Sequence, residues 1–266
     1  MFGRVTPIVK NLLIANIGIY FISSFLKLNI NEFLSLRNLH SEHFLPFQYF
    51  TYMFLHGSTW HLISNMFGLF IFGPLLEQFW GSKRFLIFYL ATGIGAGVLY
   101  SGINYLETNG LANSIEEYNQ NPTPAEFKYI MEKKANYPVS QIAELNSFIY
   151  DFNDNPTDQG YIDESKRVLQ EVLYFKSNSQ MVGASGAIFG ILLAFGMLFP
   201  NTTLMLLFPP IPIKAKYFVA IYGFIELYAG IQRAAGDNVA HFAHLSGMLV
   251  AFILLKIWQN DRKKFF

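Results

Sequence analysis

The sequence predicts an all-α polytopic membrane protein, six transmembrane helices with a partly helical extramembrane insert between the third and the fourth. Three observations predict it. The chain is 52% hydrophobic and only 14% charged, against roughly 25% charged for a soluble domain. Apolar windows of about 20 residues, the length a bilayer crossing requires, recur along it. One long polar stretch, 106–180, interrupts them. A formal net charge of +1 gives no electrostatic case for nucleic acid. The absence of cysteine excludes disulfides, thiolate metal sites and a cysteine nucleophile.

The windows fall near 8–26, 61–80, 84–105, 181–199, 216–232 and 239–258. The first lacks a small-residue cleavage motif and is followed by further spans, so it reads as a retained helix rather than a signal peptide. An even number of spans puts both termini on one side. Arg4, Lys10, Lys83, Arg84, Lys214, Lys216, Lys256, Arg262, Lys263 and Lys264 fall on that side, and the short opposite loops hold only Lys27, Arg37 and Arg233. The positive-inside rule therefore makes the termini cytoplasmic, and the compact chain suggests a bacterial inner membrane.

Three segments follow, 1–105, 106–180 and 181–266, which together make one membrane domain. Residues 106–180 carry 12 of the 18 acidic residues, the turn pairs Asn121-Pro122 and Asn155-Pro156, and amphipathic stretches near 124–135 and 139–150. "DFNDNPTDQGYIDE" has the alternating Asp151, Asn153 and Asn155 of a calcium loop. However, Pro156 stands where the turn needs glycine and Ile162 where the loop needs a bidentate glutamate, so a solvated acidic surface is the better reading.

Polar side chains within spans are costly in lipid and need a reason. His61 and Asn65, four apart, share a helix face, with His56 just before them; His241 and His244, three apart, share another. Each histidine alone could be structural glue, but together they cluster near the outer ends of two spans. Ser185 in "MVGASGAIFG" lies at the same level, about 9 Å into the fourth span at 1.5 Å per residue. Gly186, Gly190 and Ala194 form a small-residue stripe beside it, and Ala243, Gly247 and Ala251 form one beside His244. Packing the two stripes together would bring hydroxyl and imidazole within reach.

A serine becomes nucleophilic when a base takes its proton, and His244 is the candidate base. No acidic residue adjoins it in its span, and Asp237 is nearly two turns away, so the reading is a Ser-His dyad without an orienting carboxylate. The Ser185 N–H at a helix start, His61 and Asn65 are candidate oxyanion donors, and Gly183 lies in the same cavity. No cofactor and no metal ligand set is read from the sequence: an H-E-x-x-H motif is absent and no carboxylate accompanies the histidines.

"GASG" around Ser185, "AHLSG" around His244, "HGSTWHLISN" opening the second span and "LLEQFWGSKRFLIFYL" across the second-to-third connection resemble, in that order, the rhomboid family of intramembrane serine proteases. The likeness covers about 45–105 and 180–255. It implies Ser185 as nucleophile, His244 as base, His61 and Asn65 as oxyanion stabilisers and His56 as ordering the cavity. It also implies that Phe189 stacks on the catalytic histidine and that Glu77 ties the second helix to its connection. Phe47-Gln48 replaces the Trp-Arg pair of many members. A gate near 216–240 would admit single-pass transmembrane substrates, cut near the outer face. The alternatives are a catalytically silent rhomboid-like binder of membrane clients and a histidine metal site.

Overall fold

The computed structural model describes residues 5–206, 210–232 and 239–263. Arg4, Arg233, Asp237 and Lys264, which entered the charge and site readings, lie outside the described residues. In chain order the elements are α1 (Pro7–Phe25), α2 (Asn31–Leu34), β1 (Leu36–Arg37), α3 (Gln48–Thr51) and α4 (Thr59–Trp80), then α5 (Ser82–Gln120), α6 (Pro124–Tyr129), α7 (Ala143–Asp154) and α8 (Gln159–Ser177). The second half holds β2 (Gln180–Met181), α9 (Ser185–Leu198), β3 (Thr203–Met205), β4 (Pro212–Lys214), α10 (Ala215–Gln232) and α11 (His241–Lys263).

Four of these helices, α1, α4, α5 and α11, are long and apolar enough to cross a membrane. Large apolar side chains on their outer faces, among them Phe21, Phe67 and Phe252, are exposed, the arrangement lipid favours and water does not. The chain is thus an integral membrane protein. α9 sits at the centre, packed on α5, α4, α10 and α11. It is apolar but only 14 residues long, shorter than the 181–199 window. The difference lies at its start: Gln180–Met181 pairs antiparallel with Leu36–Arg37, and Gly183 adopts φ +127°. The chain enters as strand and turn and becomes helical only at Ser185. Non-helical backbone at that depth is tolerated because protein surrounds it.

Two polar side chains fasten the bundle. The Glu77 carboxylate, at the end of α4, accepts the Ile8 and Val9 N–H groups, both at 3.0 Å, and the Ser82 hydroxyl at 2.6 Å. It therefore holds the α4–α5 connection, as the resemblance implied, and caps α1 as well. Gln48 is fully buried. Its amide oxygen accepts from Arg37 N–H at 3.3 Å and Leu45 N–H at 3.2 Å, and its NH₂ donates to Phe33 O at 3.1 Å and His43 O at 3.0 Å. Gln48 thereby anchors the loop between α1 and α4, at the position to which the resemblance gives a Trp-Arg pair.

Position 105 is not a helix boundary. α5 runs unbroken for 39 residues, about 58 Å at the α-helical rise, because Leu111, Ile115 and Tyr118 continue its buried face. That face meets Phe127, Ile130, Phe152 and Leu169 in a second apolar core, separate from that of the bundle. The acidic "DFNDNPTDQGYIDE" stretch is a helix–turn–helix: Asp151 and Asn153 lie on α7, and Asp158 caps α8 by accepting Gly160 N–H at 2.7 Å. Asp151, Asp154 and Asp158 are exposed.

Candidate active site

Ser185 is the first residue of α9, and Ala184 before it offers no side-chain cap. The first-turn N–H groups of α9 therefore remain as donors at the serine. The turn that delivers Ser185 is held by the Gly183 N–H, which donates to Tyr52 O at 2.9 Å. Gly183 is required twice over. Its φ is in the left-handed region, and a Cβ there would lie 2.7 Å from His61 Nε2 and 3.7 Å from Ser185 Oγ. The His61 ring therefore packs over Gly183, beside the serine hydroxyl.

His61 and Asn65 come from the first turns of α4, whose N-cap Ser58 hydroxyl accepts His61 N–H at 3.1 Å. Asn65 is buried, and its Nδ2 has no hydrogen-bond partner among the described residues. A buried unpartnered donor costs about 1–3 kcal/mol, and this one lies one helical turn after His61 on α4. His56 is buried against His61, ring centroids 5.1 Å apart and nearly perpendicular, and both its ring nitrogens lack a partner among the described residues.

His244 enters from α11. Phe189, one turn after Ser185, stacks on its ring with centroids 4.2 Å apart and planes at 8°, as the resemblance implied. A Cβ on Gly247 would sit 2.0 Å from the Gly186 carbonyl oxygen, so α9 and α11 touch backbone to backbone one turn from His244 and next to Ser185. The paired-stripe reading needs correction further along. At Gly190 a Cβ would meet Thr92 Cβ of α5 at 2.9 Å, so the α9 stripe turns from α11 toward α5. Ala251 is fully buried in the bundle core.

The reading of His244 without a carboxylate is overturned. Glu226, near the end of α10 and buried, places Oε2 2.8 Å from His244 Nδ1 and 2.7 Å from His241 Nδ1. The reading that no carboxylate accompanies the histidines falls with it, since these three ligand atoms lie within 4.8 Å of one another. Sequence spacing misses the contact because Glu226 belongs to another helix. The available signal was the rule that a carboxyl in an apolar span needs a partner, with the histidines of α11 as its natural match. With Nδ1 engaged by Glu226, Nε2 is the His244 nitrogen left to receive a proton. No other charged group is called for: a hydroxyl, an imidazole oriented by a carboxylate, and donors at a helix start suffice for acyl-transfer chemistry.

The sequence profile described as Rhomboid domain matches residues 45–115 and 168–259. Over 90 residues the chain is 33% identical to "Rhomboid-like protein 11, chloroplastic" of Arabidopsis thaliana, covering 33% of this chain and 30% of that protein. Over 49 residues it is 45% identical to "RHOMBOID-like protein 6, mitochondrial" of the same plant, covering 18% and 16%. The matched stretches thus span less than a third of either relative. The two stretches matched by the profile include Ser185, His244, His61 and Asn65, and the residues between them, 116–167, hold much of the second apolar core. By this match over more than half its length, the chain belongs to the rhomboid family.

Proposed function

We propose that this chain is an intramembrane serine endopeptidase that hydrolyses peptide bonds in or near the transmembrane segments of single-pass membrane proteins. The observation that carries the reading is the backbone contact between α9 and α11, Gly186 against Gly247, which sets Ser185, at a helix start, on the seam with the helix whose His244 is stacked by Phe189 and oriented by Glu226. Ser185 Oγ attacks the scissile carbonyl as its proton passes to His244 Nε2. The α9 N–H groups, His61 and Asn65 receive the oxyanion. His244 then returns the proton to the leaving amine, and water repeats the sequence on the acyl-enzyme. In this reading α9 and α10 complete six helices in the membrane, residues 106–180 form an extracytoplasmic insert, and both termini face the cytoplasm of a bacterial inner membrane. No cofactor is needed.

Glu226 extends the dyad to a Ser-His-Glu arrangement as a positioning residue. Glu226→Gln is expected to lower kcat roughly 10²- to 10⁴-fold, because an amide can donate to Nδ1 and hold the wrong tautomer. KM and the melting temperature should change little. Cleavage kinetics of a single-pass substrate in proteoliposomes check this.

The test of the function itself is labelling of the detergent-solubilised protein by a fluorophosphonate. Wild type should label, and the label should vanish in both Ser185→Ala and His244→Ala. A folded wild type that does not label would instead support a rhomboid relative that binds membrane clients without cutting them.

A further inference from the structure

Glu226, His241 and His244 offer one carboxylate oxygen and two imidazole nitrogens that lie within 4.8 Å of one another, both nitrogens against the same carboxylate oxygen. We infer that this cluster binds a zinc-class divalent cation and that the bound cation silences His244 as a base. The silencing half rests on the protease reading; the binding half does not.

Two histidines and a carboxylate are a donor set zinc takes in three-ligand sites that keep a fourth position for water. Calcium and magnesium prefer all-oxygen sites. Zinc bonds of about 2.0–2.1 Å in a tetrahedron set ligand atoms roughly 3.3 Å apart. The two hydrogen-bonded edges here measure 2.7 and 2.8 Å and the two nitrogens lie no more than 4.8 Å apart, so the edges change by about half an ångström to at most about 1.5 Å. The ligands come from two packed helices, α10 and α11, which hold them together before a metal arrives. His241, the first residue of α11, and Glu226 keep side-chain exposures of 14% and 11%, which gives an entry path.

Silencing follows from the tautomer. A neutral imidazole carries one ring proton, and when a cation takes the Nδ1 lone pair that proton must reside on Nε2. As the cation enters, the Nδ1 protons of His241 and His244, both held against the Glu226 carboxylate, move through solvent to the Nε2 of their own rings, and nothing is oxidised or reduced. The Nε2 lone pair that would accept the Ser185 proton is then occupied. The cavity need not close, so the effect falls on chemistry and not on access.

Zinc chloride is titrated into full-length Ser185→Ala in detergent, with thermal unfolding as readout and magnesium as comparison. The melting temperature should rise with zinc and not with magnesium. Adding His241→Gln should raise the half-saturating zinc concentration about tenfold or more, as ligand-shell losses do. In the Ser185 protein, zinc should suppress fluorophosphonate labelling and excess chelator should restore it. Suppression in His241→Gln, scored against its own zinc-free labelling, should need about tenfold more zinc. No zinc-dependent shift, or an equal shift with His241→Gln, overturns the site. A shift without suppression overturns the silencing. Complete absence of labelling without zinc counts against the protease reading alone, since the melting shift still reads the site.

Discussion

Ser185→Ala is expected to reduce cleavage of a reconstituted single-pass substrate by roughly 10⁴- to 10⁶-fold, to the level that binding and oxyanion donors alone sustain. The fold should not register the change. The Ser185 hydroxyl makes no hydrogen bond among the described residues, so its removal strands no partner, and alanine favours the helix it begins. His244→Ala should be equally inactive but less stable, because it leaves the buried Glu226 carboxylate with one imidazole partner where it had two and removes the ring stacked on Phe189. Melting temperatures measured beside cleavage rates separate the two variants. Substantial cleavage by Ser185→Ala would assign the nucleophile elsewhere.

Gly247→Ala is expected to cost about 3 kcal/mol, at the upper end for overpacking, and about 10²-fold in rate. The added methyl would fall 2.0 Å from the Gly186 carbonyl oxygen, and backbone cannot swing aside as a flexible side chain does. Relief requires α11 to move away from α9, and displacement of about 1 Å at a catalytic pair costs that much in rate. Gly102 on α5 is the control, since a Cβ there meets nothing within 4 Å. Gly102→Ala should be neutral or slightly stabilising, as alanine exceeds glycine in helix propensity by about 1 kcal/mol. Equal melting shifts in the two variants would show that the seam is looser than these contacts require.

The windows read from hydropathy land on α1, α4, α5, α9, α10 and α11, since the apolar length of a span is a local property. Ser185, His61, Asn65 and His244 could also be singled out locally, because a polar side chain in an apolar run stands out whatever the fold. Helical spacing states which residues share a face and is silent on what that face meets. That is why periodicity does not connect Glu226 of α10 with His244 of α11, and why Gly190, placed by its stripe against α11, meets Thr92 of α5. The late start of α9 has a related reason: Met181, Val182 and Ala184 are apolar enough to extend a span, but Met181 pairs with Leu36 in a strand and Gly183 turns the chain. The linear chain thus determined the solvent, the apolar helices and the polar residue types set within them. The packed bundle alone decided the rotation of each helix about its axis, and with it the partner of His244, because azimuth is set by the contacts between helices and not by periodicity within one.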